Sequence, residues 1–96
     1  YEDVLPYFRK SETNDTHDNR YHGKDGPLGV SQPRAPLPIC EAFFAAGAEI
    51  GIPRNRDFTG ENLDGLGYYQ LTQRCYRRSS TSTACLKPAL GRPNLT

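Results

Sequence analysis

Four groups of residues in this chain are equipped for chemistry. They are the histidines His17 and His22, the cysteines Cys40, Cys75 and Cys85, the glycine-rich stretch YHGKDGPLGV at 21–30, and the arginine–aromatic cluster RCYRRSS at 74–80. A phosphate cradle needs glycines that open a helix, with a Lys-Ser or Lys-Thr pair to hold phosphate and magnesium. Here Lys24 is followed by Asp25, and Pro27 leads into a strand-like Leu28-Gly29-Val30. A carboxylate and a residue without an N–H are poor company for phosphate. Small zinc modules carry tightly spaced ligand pairs, but these histidines lie five apart and Cys75 and Cys85 ten apart. His17 therefore reads as solvated, His22 as a turn stabiliser, and the cysteines as small packing residues. A Cys–His nucleophile needs an activated thiol and an orienting third group. No neighbour of Cys85 supplies both, so packing is the reading there too.

The RCYRRSS cluster has the charge and stacking groups to hold a single strand of nucleic acid. Its alternation already accounts for it as a strand end meeting a helix cap. A net charge of +1, from 12 Lys+Arg against 11 Asp+Glu, lacks the basic excess of a nucleic-acid surface. PRAP at 33–36 reads as a connector, not as a ligand for a proline-recognition domain. The 21–30 stretch itself reads as a turn. Gly23 and Gly26 allow turn conformations, Gly26 tolerates the restriction set by Pro27, and Asp25 can bond nearby amides.

The elements that would position these residues follow from periodicity. Residues 2–12 place Val4, Leu5 and Phe8 on one face of a short helix, with Pro6 either in its first turn or kinking it. Residues 13–19 are a polar loop without periodicity, and Leu28 and Val30 alternate as a short strand. Three prolines in six residues, Pro33 to Pro38, make an extended connector. The clearest helix is LPICEAFFAAGAEIGIP: Pro38 suits the first helical position, and Ile39, Phe43, Ala46 and Ile50 form one buried stripe. Gly51 fits the left-handed residue that closes it. After a glycine-punctuated loop at 54–67, YYQLTQRCYR at 68–77 alternates as a half-exposed strand. Ser79 or Ser80 caps a short helix through Leu86, with Pro88 ending or kinking it. The order helix, strand, helix, strand, helix is α+β, with antiparallel strands and two to three helices expected.

Composition sets the bounds. The chain has 96 residues, 35% of them hydrophobic, with nine Gly and eight Pro. That is a thin core for one domain of this size. There is no methionine, and the ends read as cuts through a longer chain. Residues 1–48 carry five bases and seven acids, and 49–96 seven bases and four acids. No apolar run reaches the eighteen or so residues of a membrane span. Three irregularly spaced cysteines suggest reduced thiols, hence a cytoplasmic setting.

Taken in order, VLPYFRKSE, YHGKDGPLGV, a helix ending GIP, RDFTGENLDGLGYYQ and RRSSTSTACLKPALGRPNL resemble the glucose–methanol–choline family of FAD-dependent oxidoreductases, especially its choline-dehydrogenase-like members. The resemblance covers nearly the whole chain. Tyr76 stands where the family often has glycine, Thr59 where it has asparagine, and Cys85 where it has the tyrosine of Ala-Tyr-Leu. The family's dinucleotide fingerprint and its catalytic histidine both fall outside this span. The resemblance therefore implies a single partial domain over 1–96, mostly substrate-domain scaffold, with about 78–96 returning toward the FAD domain. It implies FAD and a small-molecule alcohol for the intact parent, with the remainder of that enzyme as the segment's partner. No catalytic, cofactor-binding or metal residue carries over. Tyr68, Tyr69 and Gln70, aromatic and amide groups on an expected sheet strand, are the candidates for a substrate-cavity wall. The rival expectation is a free-standing assembly module that self-associates through exposed half-sheet faces.

Overall fold

Leu5 and Pro6 begin the first helix of the computed structural model, which describes residues 1–95. Pro6 lies in the first turn, where the missing N–H has no partner to lose. Helix α1 spans Leu5–Ser11, and Arg9 and Lys10 in its last turn favour the negative end of its dipole. Of the apolar face expected here only Leu5 is buried, while Val4 and Phe8 are exposed.

The chain then enters β1, Glu12–Asn14, which pairs in parallel with β2, Leu28–Val30, in the register Glu12↔Leu28, Thr13↔Gly29, Asn14↔Val30. Strand β2 falls where alternation places it. Strand β1 falls in the stretch that reads as polar loop, because what fixes it is hydrogen bonding and not apolar alternation. Asn14 is only 1% exposed; its Oδ1 accepts from the backbone N–H of Thr16 and of His17, at 3.0 and 2.9 Å. The Thr13 hydroxyl donates to the carbonyl of Gly26. Gly23 and Gly26 are needed here, but for a different reason from the expected one. Neither has a positive φ; a Cβ on Gly23 would strike the carbonyl of Arg9, and one on Gly26 the backbone of Ser11 and Glu12. They are sites of close backbone approach.

The expected strand over 68–77 is a correction. Only Gln73–Arg74 (β3) and Arg77–Arg78 (β4) pair, antiparallel, around a turn at Cys75 and Tyr76. Both turn residues are left-handed, with φ of 50° and 63°, the pattern of a type I′ hairpin. Beyond it the two serines part: Ser79 bonds to strand β2, and only Ser80 reaches the start of the last helical stretch. Ser79, buried, accepts from Gly29 N–H at 3.0 Å, and Ser80 Oγ accepts from Thr83 N–H at 3.2 Å. The last helical stretch begins with a π-helical turn, Ser82–Leu86, and runs into α3, Lys87–Ala89. The wider turn carries the chain up to Pro88, which has no N–H for an α-helical bond and would crowd the carbonyl four residues back.

The chain divides into two compact units, Tyr1–Ser31 with the chain from Thr72 onward, and Gln32–Leu71. The second is built on α2, Pro38–Glu49, which starts at Pro38 and closes through Gly51 at φ 83° as its sequence predicts. Its packed side is not the predicted one. Phe44 and Gly47 are buried, whereas Ile39, Phe43 and Ile50 are 71%, 61% and 77% exposed and Ala46 is exposed with them. Gly47 lets Leu66 lie directly on the helix. The 53–67 loop folds back through Leu66 N–H to the Pro53 carbonyl and Asn55 N–H to the Leu66 carbonyl, at 2.9 and 2.8 Å. Asn55 pins its middle, its Nδ2 donating to the carbonyls of Asn62 and Asp64. Among the described residues the architecture is thus α+β, three α-helices and four strands in two small sheets. One sheet is antiparallel as expected, the other parallel.

Candidate functional site

Of the three cavity-wall candidates, Tyr68 is the most constrained. It follows the glycine-punctuated loop on irregular extended backbone. Its ring meets Phe44 edge-on, with centroids 5.0 Å apart, and its hydroxyl donates to the Leu37 carbonyl at 3.5 Å. Arg54 lies over the Phe44 ring, its guanidinium 4.1 Å from the ring centre. Both of its terminal nitrogens hold Glu41, at 3.0 and 3.2 Å. A fork-on-carboxylate pair of this kind is the geometry arginine favours and lysine cannot copy.

The electrostatics follow from that geometry. The hydrogen bond from Arg54 holds the Glu41 carboxyl below its ordinary range, and the same bond raises Arg54. Burial pushes the Tyr68 hydroxyl up to about 12, with the Glu41 carboxylate and Cys40 adding to it. A phenol in that state remains a hydrogen-bond donor at neutral pH and does not serve as a base. Tyr69 turns elsewhere, stacking on Phe58 with centroids 4.4 Å apart while staying 68% exposed. Gln70 is half-buried. The three are adjacent in sequence, yet the two tyrosine rings rest on different partners. The Glu41–Arg54–Phe44 cluster escapes sequence reasoning, which reads Phe44 off the buried stripe; the signal available is Arg54 directly after the helix-closing Ile52-Pro53.

The remaining chemical residues are placed as follows. His22 is buried, and its Nδ1 lies 3.1–3.2 Å from both oxygens of Glu12. His17 is half-buried and stacks on it at 5.3 Å. Cys75 and Cys85 are exposed, so their reading as packing residues is corrected; Cys40 is half-buried, and all three are free thiols. Among the described residues no three His, Cys, Asp or Glu side chains gather as metal ligands, and no helix is long and apolar enough to cross a membrane. A cavity of about 620 Å³ opens beside α1, lined by Leu5 and Pro6 and by residues of both charges, the bases Arg9, Lys10, Arg20 and Lys24 and the acids Glu2 and Asp25.

A model of the GMC oxidoreductase family matches residues 1–96, and the chain belongs to that family. It is 45% identical over its whole length to oxygen-dependent choline dehydrogenase of Klebsiella pneumoniae (strain 342), and 45% identical to the enzyme of that name from Pseudomonas aeruginosa (strain LESB58). It covers 18% of each. Its fold is similar to the crystal structure of pyridoxine 4-oxidase from Mesorbium loti, with a TM-score of 0.87 and 33% identity, over all of this chain and 19% of that one. The FAD that the resemblance implies does not fit the described residues by themselves. The space a glycine cradle would offer at Gly23 and Gly26 is filled by the chain's own backbone. The one long helix, α2, begins at Pro38, so its end offers a phosphate one N–H fewer.

Proposed function

We propose that this chain is a structural segment of an FAD-dependent enzyme that oxidises a CH–OH donor, of the choline type or another primary alcohol. The observation that carries this reading is the family match over the full 96 residues, joined to choline dehydrogenases at 45% identity. The segment supplies substrate-domain framework. Residues from about 78 onward lead back toward the FAD domain, and no catalytic, cofactor-binding or metal residue lies in the span. Tyr68, Tyr69 and Gln70 supply cavity wall, with the Tyr68 ring held by Phe44 and the Tyr69 ring by Phe58. The partners are the rest of the enzyme and its small alcohol substrate, not nucleic acid, and the setting is cytoplasmic.

The test uses the protein as its gene encodes it. Purified protein should show a bound flavin spectrum and choline-dependent reduction of a dye or of oxygen; neither flavin nor alcohol oxidation would overturn the reading. The 96-residue chain alone should bind no flavin, and tight stoichiometric FAD binding by it would overturn the framework assignment. A second reading, a free-standing assembly module, is favoured by the sixteen large apolar side chains that stand exposed among the described residues. Sedimentation of the isolated chain as a well-folded monomer would dispose of it.

A further inference from the structure

Helix α2 is packed on one side only. Cys40, Phe44 and Gly47 make that side, with Phe44 under Arg54 and beside Tyr68, and Gly47 against Leu66. Roughly a quarter-turn around the axis, at about 100° per residue, Ile39, Phe43, Ala46 and Ile50 form a second apolar strip. Their spacing of four, three and four keeps them within one narrow band. All four are exposed, and the helix's two acids lie off the strip; Glu41 is held by Arg54. A surface helix in a finished fold turns polar groups to solvent there. This one is apolar on two sides, the pattern of a helix in a middle layer.

We infer that the Ile39–Phe43–Ala46–Ile50 strip is a docking surface covered by a further apolar layer of the same polypeptide. This deepens the proposed function and rests on it. Two observations choose the occupant. The strip runs along a helix of 12 residues, about 18 Å long, and ends on its C-cap residue Ile50. A stable dimer needs about 800 Å² from roughly 20–30 residues a side, which four side chains do not provide. The relatives, by contrast, carry this fold in chains of which it is 18–19%, so ample polypeptide exists to supply the layer. The covering segment is uncharged and apolar at its centre, since nothing on the strip would pair a buried charge.

The experiment is cysteine accessibility in the protein as encoded. Ile50→Cys should react with a maleimide at least about 100-fold more slowly in the native protein than in the urea-unfolded protein, at every protein concentration. Labelling at the unfolded rate would overturn the inference, and so would protection that disappears on dilution, the behaviour of a second copy. Ile39→Asp should lower the melting temperature while Ile39→Leu leaves it within a degree or two; equal effects would also overturn it. Flavin and alcohol oxidation by the unmodified protein are read separately. Protection without oxidation would therefore sink the enzyme reading and leave the docking surface standing, and oxidation without protection would do the reverse.

Discussion

Glu12 gathers two donors onto one carboxylate, Asn14 Nδ2 at 2.9 Å and Gly23 N–H at 3.1 Å, with His22 Nδ1 beside them at 3.1 Å. The orientation of the Asn14 amide is fixed from its other end, where Oδ1 takes two backbone N–H groups. Its Nδ2 must then face Glu12. His22 Nδ1 lies 3.0 Å from that Nδ2 as well as 3.1 Å from the carboxylate, so whether it donates to Glu12 or accepts from Asn14 follows the imidazole tautomer. Asn14→Ala strands two part-buried backbone donors, Thr16 and His17 N–H, and should cost about 1–3 kcal/mol in denaturant unfolding. Gly23→Ala drives a methyl into the Arg9 carbonyl, which cannot yield as a side chain could, and should cost about 3 kcal/mol. Gly91→Ala, with open space around its Cβ, is the neutral control. The histidine and both glycines stood out in the sequence. Their reason did not, because a turn glycine and a contact glycine look alike until the neighbouring strand is placed.

At the scale of elements, legibility followed the kind of force that shapes each one. Helix α2 was readable from Pro38 to Gly51, since its limits are set by local backbone chemistry within the segment. Its buried side was not readable, because apolar residues occupy two faces and only the fold says which one meets Leu66. The alternation at 68–77 was read as one strand, yet a two-residue turn interrupts it at Cys75 and Tyr76. Neither residue is a usual choice for left-handed backbone. Tyr76→Gly should therefore raise the stability of the hairpin by about 1 kcal/mol, measured by amide exchange at β3 and β4; an unchanged exchange rate would refute the strain. The α2–loop clasp has a pH signature at both ends. Glu41 is depressed, so its pairing with Arg54 holds above the ordinary value of 4.5 and is lost as pH falls through the lowered one. Tyr68 is raised, so its contribution is complete below 10 and is lost as pH climbs toward about 12. Ultraviolet titration should show one late phenol, absent in Tyr68→Phe.

For the molecule as a whole, Leu5 and Phe44 are the only large apolar side chains buried among the described residues, against Asn14, His22, Ser31 and Ser79 on the polar side. A hydrophobic fraction of 35% already warned of a thin core. The isolated 96-residue chain should consequently self-associate as concentration rises, and dilute sedimentation that gives one sharp monomer up to high concentration would contradict this. The wealth of buried polar groups has a thermal consequence as well. The heat capacity of unfolding grows with the apolar area uncovered and shrinks with the polar area. Opening the β1–β2 region, which uncovers mainly amide, imidazole and hydroxyl groups, therefore carries only a small heat-capacity increment. Its stability curve is correspondingly flat, and chilling should loosen it far less than it loosens a core of leucine and isoleucine.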